Sequence, residues 1–288
     1  MNEYMIFTDS CCDIAPELLA QWGVPFANMT FTFDGEDREY INGDISNKEF
    51  YERMRQGAHP RTAAINAAAF TDAFLPILES GKDILYVAFS SGLSTTVGSA
   101  HMAAEELKEQ YPERTIRIVD TLAASAGGGL MVYMAVARKN AGASLEENAK
   151  YLASLIPQHC IWFTVDDLEY LKRGGRVSPL VAFAGSVLGI KPVLQMDDEG
   201  HLIKVTTARG RKKAIETMAA KYAELSYPEK NTPIFISHAE CEADAQLLAN
   251  MIRERHGGEV THITEIGPVI GSHTGPGTLA LFFVGKHR

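Results

Sequence analysis

The residues best suited to chemistry fall in three loops and one glycine-rich segment. Ser90-Ser91-Gly92-Leu93-Ser94-Thr95-Thr96 brings five hydroxyls and a glycine to what reads as a helix start. Free backbone N–H groups at such a start, joined by hydroxyl donors, can surround an anion. Ser and Thr also cap helices, but a cap uses one hydroxyl and this loop has five. Thr8-Asp9-Ser10 and Asp120-Thr121 each follow a strand-like run. In open α/β sheets, ligands bind outside the carboxyl ends of the strands, where loops of this kind converge. Farther along, Gly267-Pro268-Val269-Ile270-Gly271-Ser272-His273-Thr274-Gly275-Pro276-Gly277 sets a histidine among glycines that permit close backbone approach. The plainer reading is a turn with a polar decoration. Arg61-Thr62-Ala63-Ala64-Ile65-Asn66 reads by itself as an ordinary turn into a helix, and Arg209-Gly210-Arg211-Lys212-Lys213 as a solvated first helical turn or an anion site.

Several chemistries are excluded by what is missing. The sequence has no Gly-x-x-x-x-Gly-Lys-Ser/Thr phosphate loop, no His-Glu-x-x-His helix and no Gly-x-Ser-x-Gly elbow. Of its four cysteines, Cys11 and Cys12 are adjacent while Cys160 and Cys241 stand alone, so no Cys-x-x-Cys spacing exists. The nine histidines show no ligand spacing on one helical face, and no metal or cofactor is expected. A serine hydrolase using Ser94 or Ser91 with His273 stays open as an alternative. It needs an orienting carboxylate, for which Asp9 is the candidate. A net charge of -9, with bases mostly interspersed among acids, argues against a nucleic-acid partner. The start, Met1-Asn2-Glu3-Tyr4, has no basic region followed by an apolar one, and the longest nearly apolar stretch, Leu180 to Ile190, is too short for a bilayer. The expected location is cytoplasmic.

These loops need a scaffold, and the apolar pattern supplies it. In 288 residues, 46% hydrophobic and 22% charged, there is material for two cores or one large one. Tyr4 to Thr8, Ile84 to Phe89 and Thr115 to Val119 read as strands separated by helical patterns, which indicates a parallel sheet covered on both faces. Ala100, Ala103, Ala104 and Leu107 mark the buried stripe of one helix. A second helix runs through Met131, Met134 and Val136, although its Gly127-Gly128-Gly129 costs roughly 1 kcal/mol per glycine against alanine. Such a run is tolerated where something must come close to the backbone. The second half has another rhythm, with a strand at Ile161 to Val165 and a hairpin whose arms, Val193 to Met196 and Leu202 to Val205, flank Asp197-Asp198-Glu199-Gly200-His201. Further strands are expected near Ile234 to Ser237, Val260 to Ile263 and Leu279 to Val284, with helices over 212–224 and 244–255. Leu168 to Ser178 reads as a helix that stops at Gly174-Gly175. Hairpins plus helices make the second half α+β, and the boundary falls near residue 155.

Taken in order, these segments resemble the DegV family. The matching pieces are Phe7-Thr8-Asp9-Ser10 with Asp13, Ser90-Ser91-Gly92-Leu93-Ser94 with Ser99-Ala100, and Asp120-Thr121 with Ser125 and the glycine run. They continue through Leu168 to Ser178, Ile190-Lys191-Pro192-Val193, Arg209 to Lys213 and Gly271 to Gly277. The resemblance implies a Rossmann-like α/β/α first domain over 1–155 and an α+β second domain over 156–288, with a ligand tunnel between them. It implies a bacterial protein that binds one long-chain fatty acid, presents the carboxylate to a separate ATP-dependent fatty acid kinase protein, and carries the acyl phosphate away. By the same resemblance Thr62 and Ser94, with Ser91 nearby, hold the carboxylate, while Arg176, Arg209 and His273 face the phosphorylated head group. A carrier of another lipid anion is a further alternative, and transient contact with a membrane surface is in keeping with a lipid cargo. Phe183 and Leu188 are candidates for the tunnel wall. Two places depart from the family pattern: Thr62-Ala63-Ala64-Ile65-Asn66 stands where members commonly have Thr-Ser-Gln-Pro-Ser, and Thr95 stands where glycine usually follows the serine.

Overall fold

Apolar runs that are buried on both sides dictate the frame. The structure, a computed structural model, describes residues 3–177, 189–227 and 232–288. Its first half contains β1 (Tyr4–Asp9), β2 (Phe26–Ala27), β3 (Thr30–Phe33), β4 (Pro60–Ala63), β5 (Asp83–Ala88) and β6 (Ile116–Asp120). Its second half contains β7 (His159–Thr164), β8 (Ile190–Met196), β9 (Leu202–Arg209), β10 (Ile234–His238), β11 (Val260–Glu265) and β12 (Leu279–Val284). Every residue of β5 and of β12 is buried, as continuous apolar strands must be when both faces are covered.

The first sheet is parallel throughout, in the order β2-β1-β5-β6. Its strand order reverses between β1 and β5, so the loops after those two strands diverge and leave a crevice. Helices Ala67–Glu79 and Thr96–Gln110 cover one face, and helices Ala126–Asn140 and Leu145–Leu155 the other. The six-stranded second sheet runs β11-β10-β12-β7-β8-β9, antiparallel except for the β10–β11 pair. Helices Arg211–Leu225 and Glu242–His256 cover its outer face. Side chains alternate along these strands: Cys160, Trp162, Leu281 and Phe283 pack outward against those helices, while Ile161, Phe163, Ala280 and Phe282 point inward. Among the described residues, no helix is long and apolar enough to cross a membrane.

Helix Ala126–Asn140 is shared. It packs on β1 and β5 from one side and on β10 and β12 from the other, so a single apolar cluster runs through both halves. Its glycine run now has a physical reason. A Cβ at Gly127 would stand 2.8 Å from the Phe282 ring, and one at Gly129 would stand 2.6 Å from the Ile14 side chain. The second sheet at Gly127 and the segment after β1 at Gly129 both come closer to the helix than a side chain would allow.

One local expectation is revised and one is met. Residues 60–63 are not a turn but β4, which pairs antiparallel with β3 and sets Thr62 opposite Phe31. The helix expected to stop at Gly174-Gly175 runs over Glu169–Arg173 and ends there, closed by Gly175 in the left-handed conformation at φ 70°. Ser178, Phe183 and Leu188 lie outside the described residues.

Candidate functional site

The loop after β1 is built around a buried carboxylate. Asp9 Oδ2 accepts from Tyr86 Oη at 2.7 Å and from the Phe89 N–H at 3.0 Å, and Oδ1 accepts from the Cys11 N–H at 3.0 Å. Burial raises its pKa while those hydrogen bonds oppose the rise. Asp9 therefore ties the end of β1 to the end of β5 and fixes where the hydroxyl loop begins. The loop is held from its other side by the β8–β9 turn: Ser90 Oγ donates to the Gly200 carbonyl at 3.0 Å. Ser94 Oγ lies 2.9 Å from Thr96 Oγ1, at the start of helix Thr96–Gln110.

Next to this loop a narrow cavity opens between the two halves. It contains about 690 Å³ free of protein atoms, counting what opens to solvent. Its apolar wall comes from the inward faces of the second sheet, including Ile161, Phe163, Met196, Leu202 and Phe282. Four of the expected site residues also line it: Thr62, Ser94, Arg176 and His273. Thr62 and His273 pair directly, the Arg176 charge acts on His273, and Ser94 bonds within its own loop. Thr62 Oγ1 and His273 Nε2 are 2.8 Å apart. Arg176 donates through Nε and Nη2 to the Leu93 carbonyl, at 3.3 and 3.1 Å, and through Nη1 to the Gly174 carbonyl. Among the described residues no aspartate or glutamate lines the cavity.

Sequence-local features bring these groups together. Thr62 is carried by β4. Ile65, where the family commonly has proline, is buried among the aromatic side chains of the first half. Asn66 caps helix Ala67–Glu79 by accepting from the Ala69 N–H at 2.9 Å. The departure from the family pattern thus supplies a core residue and a helix cap while leaving Thr62 in place. His273 sits near the end of helix Pro268–Thr274, whose proline at the first position suits a helix start. Its ring presses on Gly174, where a Cβ would fall 2.3 Å from Nδ1. Burial, with the Arg176 guanidinium adding to it, pushes the imidazole down to about 4, so the ring is neutral at pH 7. Burial also lowers the pKa of Arg176, which has no carboxylate partner among the described residues.

Two expected residues stand elsewhere. Ser91 is exposed, and its N–H bonds Asp120 Oδ1 at 3.2 Å. Arg209 ends β9 opposite Ile190 and is exposed; neither residue lines the cavity. The hydrolase arrangement does not form, because Ser94 pairs with Thr96, His273 with Thr62, and Asp9 with groups of its own sheet. The residue that sequence reasoning placed only by family pattern, without a role, is Ser125, which lines the cavity and bonds Asp13.

A family profile described as an uncharacterised protein of the DegV family matches residues 3–286. The chain belongs to the DegV family. A DegV domain-containing protein of Clostridium perfringens is 40% identical over 289 residues, covering 100% of this chain and 99% of that one. Among solved structures, a fatty-acid-binding DegV family protein from Thermus thermophilus superposes with a TM-score of 0.88 at 32% identity, over 99% of this chain and 100% of that one. A stearic acid-binding protein from Eubacterium ventriosum gives a TM-score of 0.88 at 26% identity, over 98% of each chain. The mixed α/β architecture, with one parallel sheet and a second sheet, is thus that of the solved DegV proteins.

Proposed function

We propose that this protein binds one long-chain fatty acid in the cavity and presents its carboxylate to a separate ATP-dependent fatty acid kinase, then carries the acyl phosphate. The observation that carries the reading is the cavity itself: narrow, walled by apolar side chains, free of carboxylates among the described residues, and marked by one hydroxyl–imidazole–guanidinium cluster. The solved relatives named for fatty-acid and stearic-acid binding support the choice of ligand. In this reading residues 1–155 form the α/β/α domain, and residues 156–288 complete the tunnel.

The magnitudes divide the work. Burying about 15 methylenes at ~0.8 kcal/mol each offers roughly 12 kcal/mol gross, before the costs of ordering the chain. A hydrogen bond to a charged carboxylate adds ~1.5–3 kcal/mol. The tail supplies most of the affinity, and the head group fixes depth and polarity. Thr62 and Ser94 donate their hydroxyls to the carboxylate without a tight ion pair, which leaves an oxygen free to attack the terminal phosphate of ATP. That oxygen bonds to phosphorus as the ADP oxygen leaves. His273 stays neutral through this step, and Arg176 meets the added charge of the acyl phosphate.

The test begins with the protein purified from a heterologous host, denatured, extracted and read by mass spectrometry. One equivalent of fatty acid is expected, and delipidated protein should take up oleate or palmitate to the same stoichiometry. Empty protein that takes up neither would sink the reading, and a different extracted anion would replace the ligand. With the kinase and ATP, acyl phosphate trapped as the hydroxamate should fall in Thr62→Ala and Ser94→Ala more than fatty-acid content does.

A further inference from the structure

Asp13 lies outside the polar cluster, yet its bonds reach toward it from two directions. Its Oδ2 accepts from Ser125 Oγ at 2.5 Å, and Ser125 lines the cavity. Its Oδ1 accepts from the Gly267 N–H at 3.0 Å, and Gly267 is the cap residue of the helix that carries His273. Its backbone carbonyl accepts from Thr264 Oγ1 of β11 at 2.6 Å, and Ser125 Oγ lies 2.9 Å from Ser237 Oγ of β10. Asp13 thus holds the N-terminus of the shared helix and two segments of the second half, and Ser125 reaches a third, β10. On its outer side, Asp13 joins Asn42, Thr264 and Glu265 in lining a separate cleft.

The backbone marks the same two points. Asp13 has φ 47° and Ser125 has φ 54°, both in the region that side chains rarely adopt. Non-glycine residues keep such conformations only where the surroundings over-determine them, and such places cluster at ligand sites. Here the side-chain bond between the two residues supplies that constraint. Burial pushes the Asp13 carboxyl up to about 7 against the hydrogen bonds from Ser125 and Gly267, so the group sits there at an energetic cost that a packing role does not require.

We propose that Asp13 is a positioning residue of the cavity, fixing at once the Ser125 wall and the start of the helix that presents His273 to Thr62. The proposal deepens the fatty-acid reading and rests on it for its functional meaning. Its geometric part stands on the protein alone. A role in general stability would lower the melting temperature and leave the folded site unchanged. A positioning role moves His273.

The experiment therefore follows the His273 imidazole by NMR in ¹⁵N-histidine-labelled, ligand-free protein. Asp13→Gly removes the carboxyl while accepting the left-handed backbone, and Asp13→Asn keeps an acceptor for Gly267 and a donor for Ser125. In the wild type His273 should titrate near 4, and Asp13→Gly should move it toward 6.5 as the helix loosens and water enters. Asp13→Asn should restore the wild-type titration. Thr264→Val, which keeps a strand-forming residue, should shift it in the same direction by less. In parallel, oleate affinity should weaken about tenfold in Asp13→Gly and recover in Asp13→Asn. Folded variants in which neither Asp13→Gly nor Thr264→Val moves the His273 titration would overturn the proposal. If the titration moves as expected while wild-type protein takes up no oleate, the positioning role stands and the fatty-acid reading falls.

Discussion

Gly127→Ala sets two known effects against each other and lets the structure decide the sign. In an ordinary helix interior, alanine in place of glycine stabilises by ~1 kcal/mol. At this position the new Cβ would lie 2.8 and 3.1 Å from two atoms of the Phe282 ring and 3.3 Å from the Ile161 side chain. Carbon atoms pack at ~3.5–4.0 Å, so the ring must retreat by most of an ångström. Phe282 is 1% exposed and fixed in the central strand of its sheet, so little give is available. Overpacking of this kind costs ~1–3 kcal/mol, which exceeds the propensity gain. The expected net result is a loss of about 1 kcal/mol in urea unfolding. Both displaced side chains line the cavity, so the ring retreats into the space proposed for the acyl chain. Excluding one methylene's worth of contact corresponds to about a fourfold weaker oleate Kd. A variant that unfolds at higher urea and binds oleate as the wild type does would refute the account of the glycine run.

Other perturbations have equally definite signs. The Asp13 carboxyl, raised by burial from 3.8 to about 7, keeps in the fold a proton that the unfolded chain gives up. Its contribution is present below pH 4 and lost as pH rises to 7, on the order of 4 kcal/mol. Asp9, Cys11 and Cys12 face it from its own segment, Tyr51 from helix Asn47–Arg55 and Glu265 from β11. Asp13→Asn should remove this slope in chemical denaturation measured from pH 4 to 8. His159 behaves in the opposite sense: burial, with Arg288 adding to it, pushes it down to about 3, and neither ring nitrogen has a hydrogen-bond partner among the described residues. Stability should be lost as pH falls below 6.5, and His159→Leu should raise the melting temperature at pH 4 relative to the wild type. Asn66→Ala removes the cap of helix Ala67–Glu79 and should cost about 1 kcal/mol in urea unfolding, with fatty-acid stoichiometry retained.

The scaffold was legible where burial imposes a pattern. Ile84 to Ala88 and Leu279 to Val284 are apolar throughout because helices cover both faces, and that pattern survives in the sequence without ambiguity. Residues 60–63 were not, because Pro, Arg, Thr and Ala show no alternation and the partner strand lies some thirty residues upstream. The signal for this pair lies in its partner, the alternating Thr30-Phe31-Thr32-Phe33. Within the cavity, no local rule links Thr62 to His273, which are 211 residues apart; only the resemblance to the family named them together. Arg209 shows the limit of carrying residues over by pattern. It lies at an exposed strand end, whereas its neighbour Arg211 turns inward to Asp244 and Asp166. Beyond its place in the family pattern Ser125 carries no signal of a role, since its position depends on an unusual backbone angle that composition does not encode.

The helix shared by the two sheets also constrains how the chain can be made. During synthesis residues 126–140 emerge well before β10 and β12, which must cover the helix's second face. Until they arrive, a large apolar surface stays open, and the pairing that closes it spans more than a hundred residues of chain. Contacts of such long range are formed late and slowly. The first half is therefore expected to leave the ribosome as a collapsed, chaperone-dependent intermediate that the last strand completes, and the cavity comes into existence only at that final step.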